Sequence, residues 1–304
     1  MIRLGLCCIN TVLRKDDIFC SRTMIRARFT VEKAKAAALA NIKDAETMMR
    51  WNHANGIHVF RLSSDIFPHA TDLETEAYDM SFSIPALQQL GNVARECGQR
   101  ITMHPGQYNQ IGAKSADVFE KTVRDLEHHA FILDTMGMDA SSILCIHGGG
   151  VYGDKESTMR RWIDQFSDLS PAVKRRIAIE NCERAYSTED CLTLAWECHI
   201  PMIFDTHHDA CYRSLHKEYQ PEDVIDQLPL VIETWNDVTP LLHISEQRPN
   251  SRIGAHSDFI ETIPAYLIET LRNDVSLDIE VEAKMKEQAI FALYKKYPSI
   301  INTK

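Results

Sequence analysis

The chain has 304 residues, 44% of them hydrophobic and 25% charged, with a formal net charge of −10. This composition excludes a disordered or collagen-like chain, and no apolar run approaches the ~20 residues needed to cross a bilayer. The acidic balance argues against nucleic-acid binding, which usually needs a basic face, unless carboxylates gather around divalent cations that the formal count omits.

The first stretch, MIRLGLCCIN, is too short and too quickly polar for a signal peptide and reads as a strand. Eight short apolar runs follow the strand pattern: Ile2–Cys8, His58–Leu62, Arg100–Met103, Ser142–Ile146, Arg176–Ile179, Met202–Phe204, Leu241–Ile244 and Leu277–Val281. Helical periodicity fills the intervals at Val31–Asn55, Ile84–Cys97, Ser115–Met136, Ser157–Phe166, Thr188–Cys198, Pro221–Val231 and Asp258–Leu271. Thr30, Ser83, Ser157 and Ser187 are the expected N-caps, and Pro85 sits near a helix start, where proline is tolerated. Eight β-α units without a linker predict one α/β domain over residues 1–304, a (β/α)8 TIM barrel. The nine cysteines are odd in number and form no C-x-x-C pair, which points to a reducing, intracellular compartment without disulfides.

In such a barrel the chemistry sits at the carboxyl ends of the strands. Here those ends carry Asn10, Ser63-Ser64-Asp65 followed by His69, His104, His147, Glu180, Asp205 with His208, His243, and Glu280 or Glu282. A lone histidine at a strand end is usually a hydrogen-bonded structural residue. His104, His147 and His243, each ending its own strand, instead point together to a metal site. Glu180 ends an apolar strand, where a carboxylate is costly unless paired or metal-bound, and its two oxygens suit a bridging role. The same logic applies to Asp205, with either His207 or His208 beside it; His256 follows in a loop. Glu280 and Glu282 share one strand face, and Glu282 is nearer its carboxyl end. His53, His58, His128, His129, His199 and His216 read as structural or solvated. His147-Gly148-Gly149-Gly150 lacks the GK[ST] of a nucleotide loop, so its glycines are better explained by close backbone approach to the site. His104-Pro105-Gly106-Gln107-Tyr108 is a tight turn offering an amide and a ring.

Arg61-Leu62-Ser63-Ser64-Asp65 with Pro68-His69, His104-Pro105-Gly106-Gln107-Tyr108, Ile146-His147-Gly148-Gly149, Glu180-Asn181, Asp205-Thr206-His207-His208 and Glu282-Ala283-Lys284-x-Lys286 together resemble the UV damage endonucleases. The order is kept over nearly the whole chain. The resemblance implies a TIM-barrel repair nuclease, related in fold to AP endonucleases of the endonuclease IV type. Such an enzyme nicks DNA immediately 5′ to cyclobutane pyrimidine dimers and 6-4 products in excision repair. It implies two or three divalent ions, commonly Mn²⁺, held by His69, His104, His147, Glu180, Asp205, His208, His243, His256 and Glu282. Glu180, His147 and His243 are the expected catalytic residues, and Asn10, Gln107 and Tyr108 the residues that probe the lesion.

Two departures stand out. Leu241 occupies a place where some members carry a carboxylated, metal-binding lysine, and Leu6 one where an aromatic is often found. The expected partner is damaged double-stranded DNA, with Arg14, Lys15, Arg22, Lys114 and Arg252 as candidate phosphate holders; no membrane or obligatory protein partner is implied. The expected location is intracellular: cytoplasmic, or nuclear in a eukaryote. The rival readings are an endonuclease IV-type AP endonuclease, a metal-dependent sugar isomerase of xylose isomerase type, and a non-catalytic binding module.

Overall fold

A computed structural model of the protein describes residues 1–219, 224–271 and 275–303. In chain order the main elements are β1 (Ile2–Cys7), α1 (Val31–Ala54), β2 (Val59–Leu62), α2 (Ile84–Glu96), β3 (Arg100–Met103), α3 (Ala116–Thr135), β4 (Leu144–His147), α4 (Lys155–Ser167), α5 (Pro171–Lys174), β5 (Ile177–Glu180), α6 (Thr188–Cys198), β6 (Met202–Ile203), α7 (Thr206–Leu215), α8 (Val224–Glu233), β7 (Leu241–Ile244), α9 (Ala265–Thr270), β8 (Leu277–Val281) and α10 (Glu287–Lys296). The strands pair in parallel in the order β6-β5-β4-β3-β2-β1-β8-β7. Between β6 and β7 the sheet closes through a single bridge, Asp205 to His243, with the backbone N–H of His243 donating to the Phe204 carbonyl at 3.1 Å. The fold is the expected eight-stranded α/β barrel.

Alternation along the strands separates two cores. On β8, Leu277, Ile279 and Val281 join the large apolar layer beneath the helices, as do Phe60 and Leu62 on β2. The other parity faces the barrel axis. Its lower part is an apolar plug of Val59, Ile143, Cys145, Ala178, Ile203, Trp235 and Leu241. Above the plug the same parity brings in Arg61, Thr102, Glu180, His243 and Glu280, all buried. The short apolar runs are therefore apolar on the helix side, while every second residue is free to be polar inside.

Local chemistry sets most helix starts. Thr30 caps α1 by accepting from Lys33 N, and Ser187 and Asp190 form a reciprocal capping box on α6; each such cap is worth about 1 kcal/mol. Two expected caps differ. Asp154, not Ser157, caps α4, accepting from Ser157 N, because the helix begins one turn earlier. Ser83 precedes α2, but its hydroxyl donates to the Met80 carbonyl instead of capping. The expected helix over 258–271 is reduced to α9, since Pro264 sets its start. Of the helix expected over 221–231, residues 221–223 lie outside the described residues, and α8 runs from Val224. Helices α5, α7 and α10 lie outside the segments singled out from the sequence. The nine cysteines are all free thiols, and among the described residues no helix is long and apolar enough to cross a membrane.

Candidate metal centre

Glu180 is the last residue of β5 and is fully buried at the carboxyl end of the barrel. Its Oε2 lies 3.1 Å from His104 Nε2 and 3.7 Å from His147 Nε2. Its Oε1 lies 2.9 Å from His243 Nδ1 and 3.3 Å from His208 Nδ1. One carboxylate thus faces four imidazoles, two on each oxygen. Burial alone would raise the Glu180 pKa, but the surrounding imidazoles hold it well below the usual carboxylate range. Burial likewise opposes charge on His243, yet Glu180 and Glu280 carry its pKa up to about 10. His208 is raised by Asp205 and Glu180 against the same burial. In His147 burial wins, and its pKa falls to about 4.

Asp205 does two jobs. Its Oδ1 accepts from the backbone N–H groups of His207 (2.8 Å) and His208 (2.7 Å), so it caps α7 and brings His208 onto the first helical turn. Its Oδ2 is buried without a hydrogen-bond partner. Asn181 clamps the two strand ends together, its Oδ1 accepting from Asp205 N at 2.8 Å and its Nδ2 donating to the Asp205 carbonyl at 3.0 Å. Burial, reinforced by Glu180 and Glu282, raises the Asp205 pKa.

Three sets of ligand atoms lie within 4.8 Å of one another: His104, Cys145 and Glu180; His147, Glu180 and His208; and Glu180, Asp205 and His243. All three share Glu180. Imidazole nitrogen and carboxylate oxygen form a hard-to-borderline donor set suited to divalent first-row ions. The orphaned Asp205 Oδ2 and the orphaned, buried His147 Nδ1 fit that use, since burying such atoms without a partner is otherwise unfavourable. These residues could hold a divalent metal.

Under this cluster lies a layer of which the sequence pointed only to Glu280, as an alternative to Glu282, and to Arg61 within a motif. His243 Nε2 is 3.1 Å from Glu280 Oε2, on the side of the ring away from Glu180. Glu280 is also held by Arg61 Nε at 3.1 Å and by the Thr102 hydroxyl. Arg61 further pairs with Glu282 and lies 2.6 Å from the Cys7 sulfur. Cys145 Sγ donates to Glu180 Oε2 at 3.0 Å. Thr102 and Cys145 lie two residues before His104 and His147, as Glu280 does before Glu282, so the period-two counting that paired the two glutamates would have found them as well.

Six of the expected ligands, His104, His147, Glu180, Asp205, His208 and His243, meet in the three sets. Glu282 and His256 adjoin them: Glu282 Oε1 is 3.6 Å from His243 Nδ1, and its Oε2 is 3.5 Å from His256 Nδ1. Burial would raise the Glu282 pKa, but Arg61 and His243 hold it far down. His69 does not join. Its Nδ1 faces Asp72 Oδ2 at 3.0 Å and its Nε2 the Met24 carbonyl at 2.6 Å, so both ring nitrogens are engaged. Asn10 is likewise not presented outward. It is buried, and its Oδ1 accepts from the N–H groups of Val12 and Leu13, which leaves only a buried Nδ2. Gln107 and Tyr108 are exposed, with the Tyr108 hydroxyl 3.3 Å from Asp125. Two of the candidate phosphate holders have other contacts: Arg22 pairs with Asp44 at 2.6 Å, and the exposed Arg14 stacks on Phe19. Leu241 points inward two residues below His243 and is part of the apolar plug.

The description UV-endonuclease UvdE fits residues 2–304. The chain belongs to the UV-endonuclease UvdE family. It is 36% identical to a putative UV-damage endonuclease of Acanthamoeba polyphaga mimivirus over 98% of this chain and 92% of that one. It is 35% identical to the UV-damage endonuclease of Schizosaccharomyces pombe over 97% of this chain, which spans 50% of the yeast protein. Among solved UvdE folds, the crystal structure of SacUVDE superposes with a TM-score of 0.85 at 28% identity, covering 98% of both chains. Endonuclease IV from Thermus thermophilus has a TM-score of 0.59 at 13% identity over 97% of this chain and 98% of that one, a likeness of fold.

Proposed function

We propose that this UvdE chain hydrolyses the DNA phosphodiester immediately 5′ to ultraviolet photoproducts, cyclobutane pyrimidine dimers and 6-4 products, leaving a 3′-hydroxyl and a 5′-phosphate. The observation that carries the reading is Glu180, buried at the barrel mouth with both oxygens shared among three overlapping ligand sets. Two or three divalent ions, Mn²⁺ in the first instance, fit those sets. When bound they would lower the pKa of a water and neutralise the charge that develops on the phosphate.

The chain's own residues organise that site. Glu180 offers one oxygen to the His104 and His147 side and the other to the His208 and His243 side, which suits it to bridging. A neutral imidazole has one N–H and one lone pair. Without metal His243 is held protonated; on loss of its Nδ1 proton to a bound ion, Glu280 facing Nε2 would keep the other proton there and leave the Nδ1 lone pair for the cluster. Arg61 balances Glu280 and Glu282 from below, so both carboxylates stay ionised beside Glu180. Exposed Gln107 and Tyr108 would enter a base stack already weakened by a photodimer. The substrate is damaged duplex DNA, so the activity belongs in whichever compartment holds DNA.

The test is nicking of an end-labelled duplex carrying one cyclobutane dimer, beside abasic and undamaged duplexes, each with Mn²⁺ and with EDTA. The expected result is a metal-dependent cut just 5′ to the dimer that Glu180→Ala abolishes. Cutting at the abasic site alone would transfer the chain to AP-endonuclease chemistry, and no cutting of any duplex would overturn the nuclease reading.

A further inference from the structure

Beside the carboxylate–imidazole cluster lies a pocket of about 470 Å³ lined by Arg248, Ser251, Arg252, His256 and Lys284, with no Asp or Glu in its wall. Arg248, Arg252 and Lys284 are exposed, and none of them takes part in an ion pair among the described residues. The larger cavity, about 520 Å³ near Tyr108, is the reverse case. Asp65, Asp72, Glu74, Asp117 and Asp125 line it. Its Arg26 is tied to Asp72 at 2.7 Å, and its Lys121 to Asp117 at 2.8 Å.

The basic pocket is built on a braced loop. Gln247 Nε2 donates to the carbonyls of Arg248 (3.0 Å) and Arg252 (2.9 Å), and its Oε1 accepts from Gly254 N at 2.9 Å. Arg248 N donates to the Ala255 carbonyl at 2.7 Å, and Gln247 bridges His256 in antiparallel fashion. The loop is joined to the metal centre at two points. His256 Nδ1 is 3.5 Å from Glu282 Oε2, and Lys284, two residues beyond Glu282, donates its backbone N–H to the Ser257 carbonyl at 3.0 Å.

We propose that this pocket seats a backbone phosphate of the bound DNA strand, next to the phosphate that is cut. The inference rests on the nuclease reading above. Guanidinium and ammonium groups without ion-pair partners around a Ser hydroxyl, in a wall that holds no carboxylate, match a phosphodiester in charge and in donors. Such a contact fixes the register of the strand over the cluster without reading its sequence. It also answers the difficulty raised by the net charge of −10, because binding depends on the local field at the mouth and not on the total.

The experiment measures duplex affinity by fluorescence anisotropy in EDTA, so that nothing is cut, between about 50 and 200 mM salt. A dimer-bearing and an undamaged duplex are compared for the whole chain and for Arg248→Gln, Arg252→Gln and Lys284→Gln. Lys295→Gln, an exposed lysine near the end of α10 at the opposite end of the barrel, is the control. The pocket variants should each lower the slope of log K against log salt, by about 0.9 in all when the three are combined, since a single phosphate is seated. The affinity loss should be equal on both duplexes, and the Lys295 variant should leave the slope unchanged. If the unaltered chain binds duplex with a steep salt slope and the pocket variants keep that slope, the pocket is refuted while the nuclease reading stands. If the unaltered chain shows no salt-dependent duplex binding, both fail together.

Discussion

The barrel holds a buried charge cluster at each end, and the two are built from different cations. At the amino-terminal end Asp278 takes Arg3 in a two-point contact, Nε and Nη2 each at 2.6 Å, and Arg100 Nη1 at 2.8 Å, with the Arg100 guanidinium over the Trp235 ring. At the carboxyl end Glu180 takes four imidazoles. Guanidinium stays protonated at any working pH and has no lone pair to give, so the lower cluster is closed on itself and can only hold the strands. Imidazole can surrender its proton and become a ligand, so the upper cluster can exchange its internal partners for metal ions. Buried charge at the lower end is therefore structural, and at the upper end chemical, as barrel anatomy leads one to expect.

Substitutions at the two ends should accordingly fail in different ways. Glu180→Ala is expected to reduce nicking by at least about 10³-fold, by analogy with the loss of a principal charge-stabilising group, with the chain still folded by circular dichroism. A variant retaining more than a tenth of the activity would remove Glu180 from the centre of the site. Asp278→Ala should do the converse. It strands the buried Arg100 and frees the part-exposed Arg3, and should cost about 3 kcal/mol of folding stability, read as a lower urea midpoint, while metal affinity per folded molecule is unchanged.

Glu280 lies between these extremes, since it faces the metal centre from behind His243. Glu280→Gln should weaken Mn²⁺ binding by about 10- to 100-fold in a titration of free Mn²⁺ by electron paramagnetic resonance. Unaltered affinity would reduce Glu280 to a partner of Arg61. Glu280→Asp should recover part of the loss, which a purely structural defect would not do.

The smallest effect concerns an imidazole without an acid. His128 packs edge-on against Phe67 and has no ion-pair partner among the described residues, and burial beside His129 lowers its pKa to about 3. In the unfolded chain a histidine titrates near about 6.5. The unfolded state therefore takes up the proton first as pH falls. Stability that is full above pH ~6.5 should decline progressively toward pH ~3, by up to a few kcal/mol. Thermal unfolding of the metal-free chain across this window should show the decline, and His128→Phe should flatten it. An equally steep decline in that variant would assign the acid sensitivity to the histidines of the mouth.

Much of this site was legible in the sequence because a strand end is a local feature. A short apolar run followed by His or Glu identifies itself, and His104, His147, Glu180 and His243 were found that way. Asp205 was legible as a site residue but not as a helix cap, because α7 begins directly at the strand end with no loop to announce it. His69 and Asn10 sit where the motif order puts them, yet neighbouring polar groups in the fold, Asp72 with the Met24 carbonyl and the N–H groups of Val12 and Leu13, occupy them. Of the pocket of Arg248, Arg252 and Lys284 only Arg252 was named from the sequence as a phosphate holder, because the pocket joins a loop after β7 to residues after β8.

By itself the sequence determined the strand order, most of the intervening helices, the polar group at each strand end, and the family, all properties of residues near one another in the chain. The tertiary structure alone decided which histidines share Glu180, that Arg61 and Glu280 stand beneath them, and that Leu241 belongs to the plug. Those relations run across strands. They depend on the register between neighbours and on the closure of the sheet at Asp205 and His243, which no local stretch of sequence encodes.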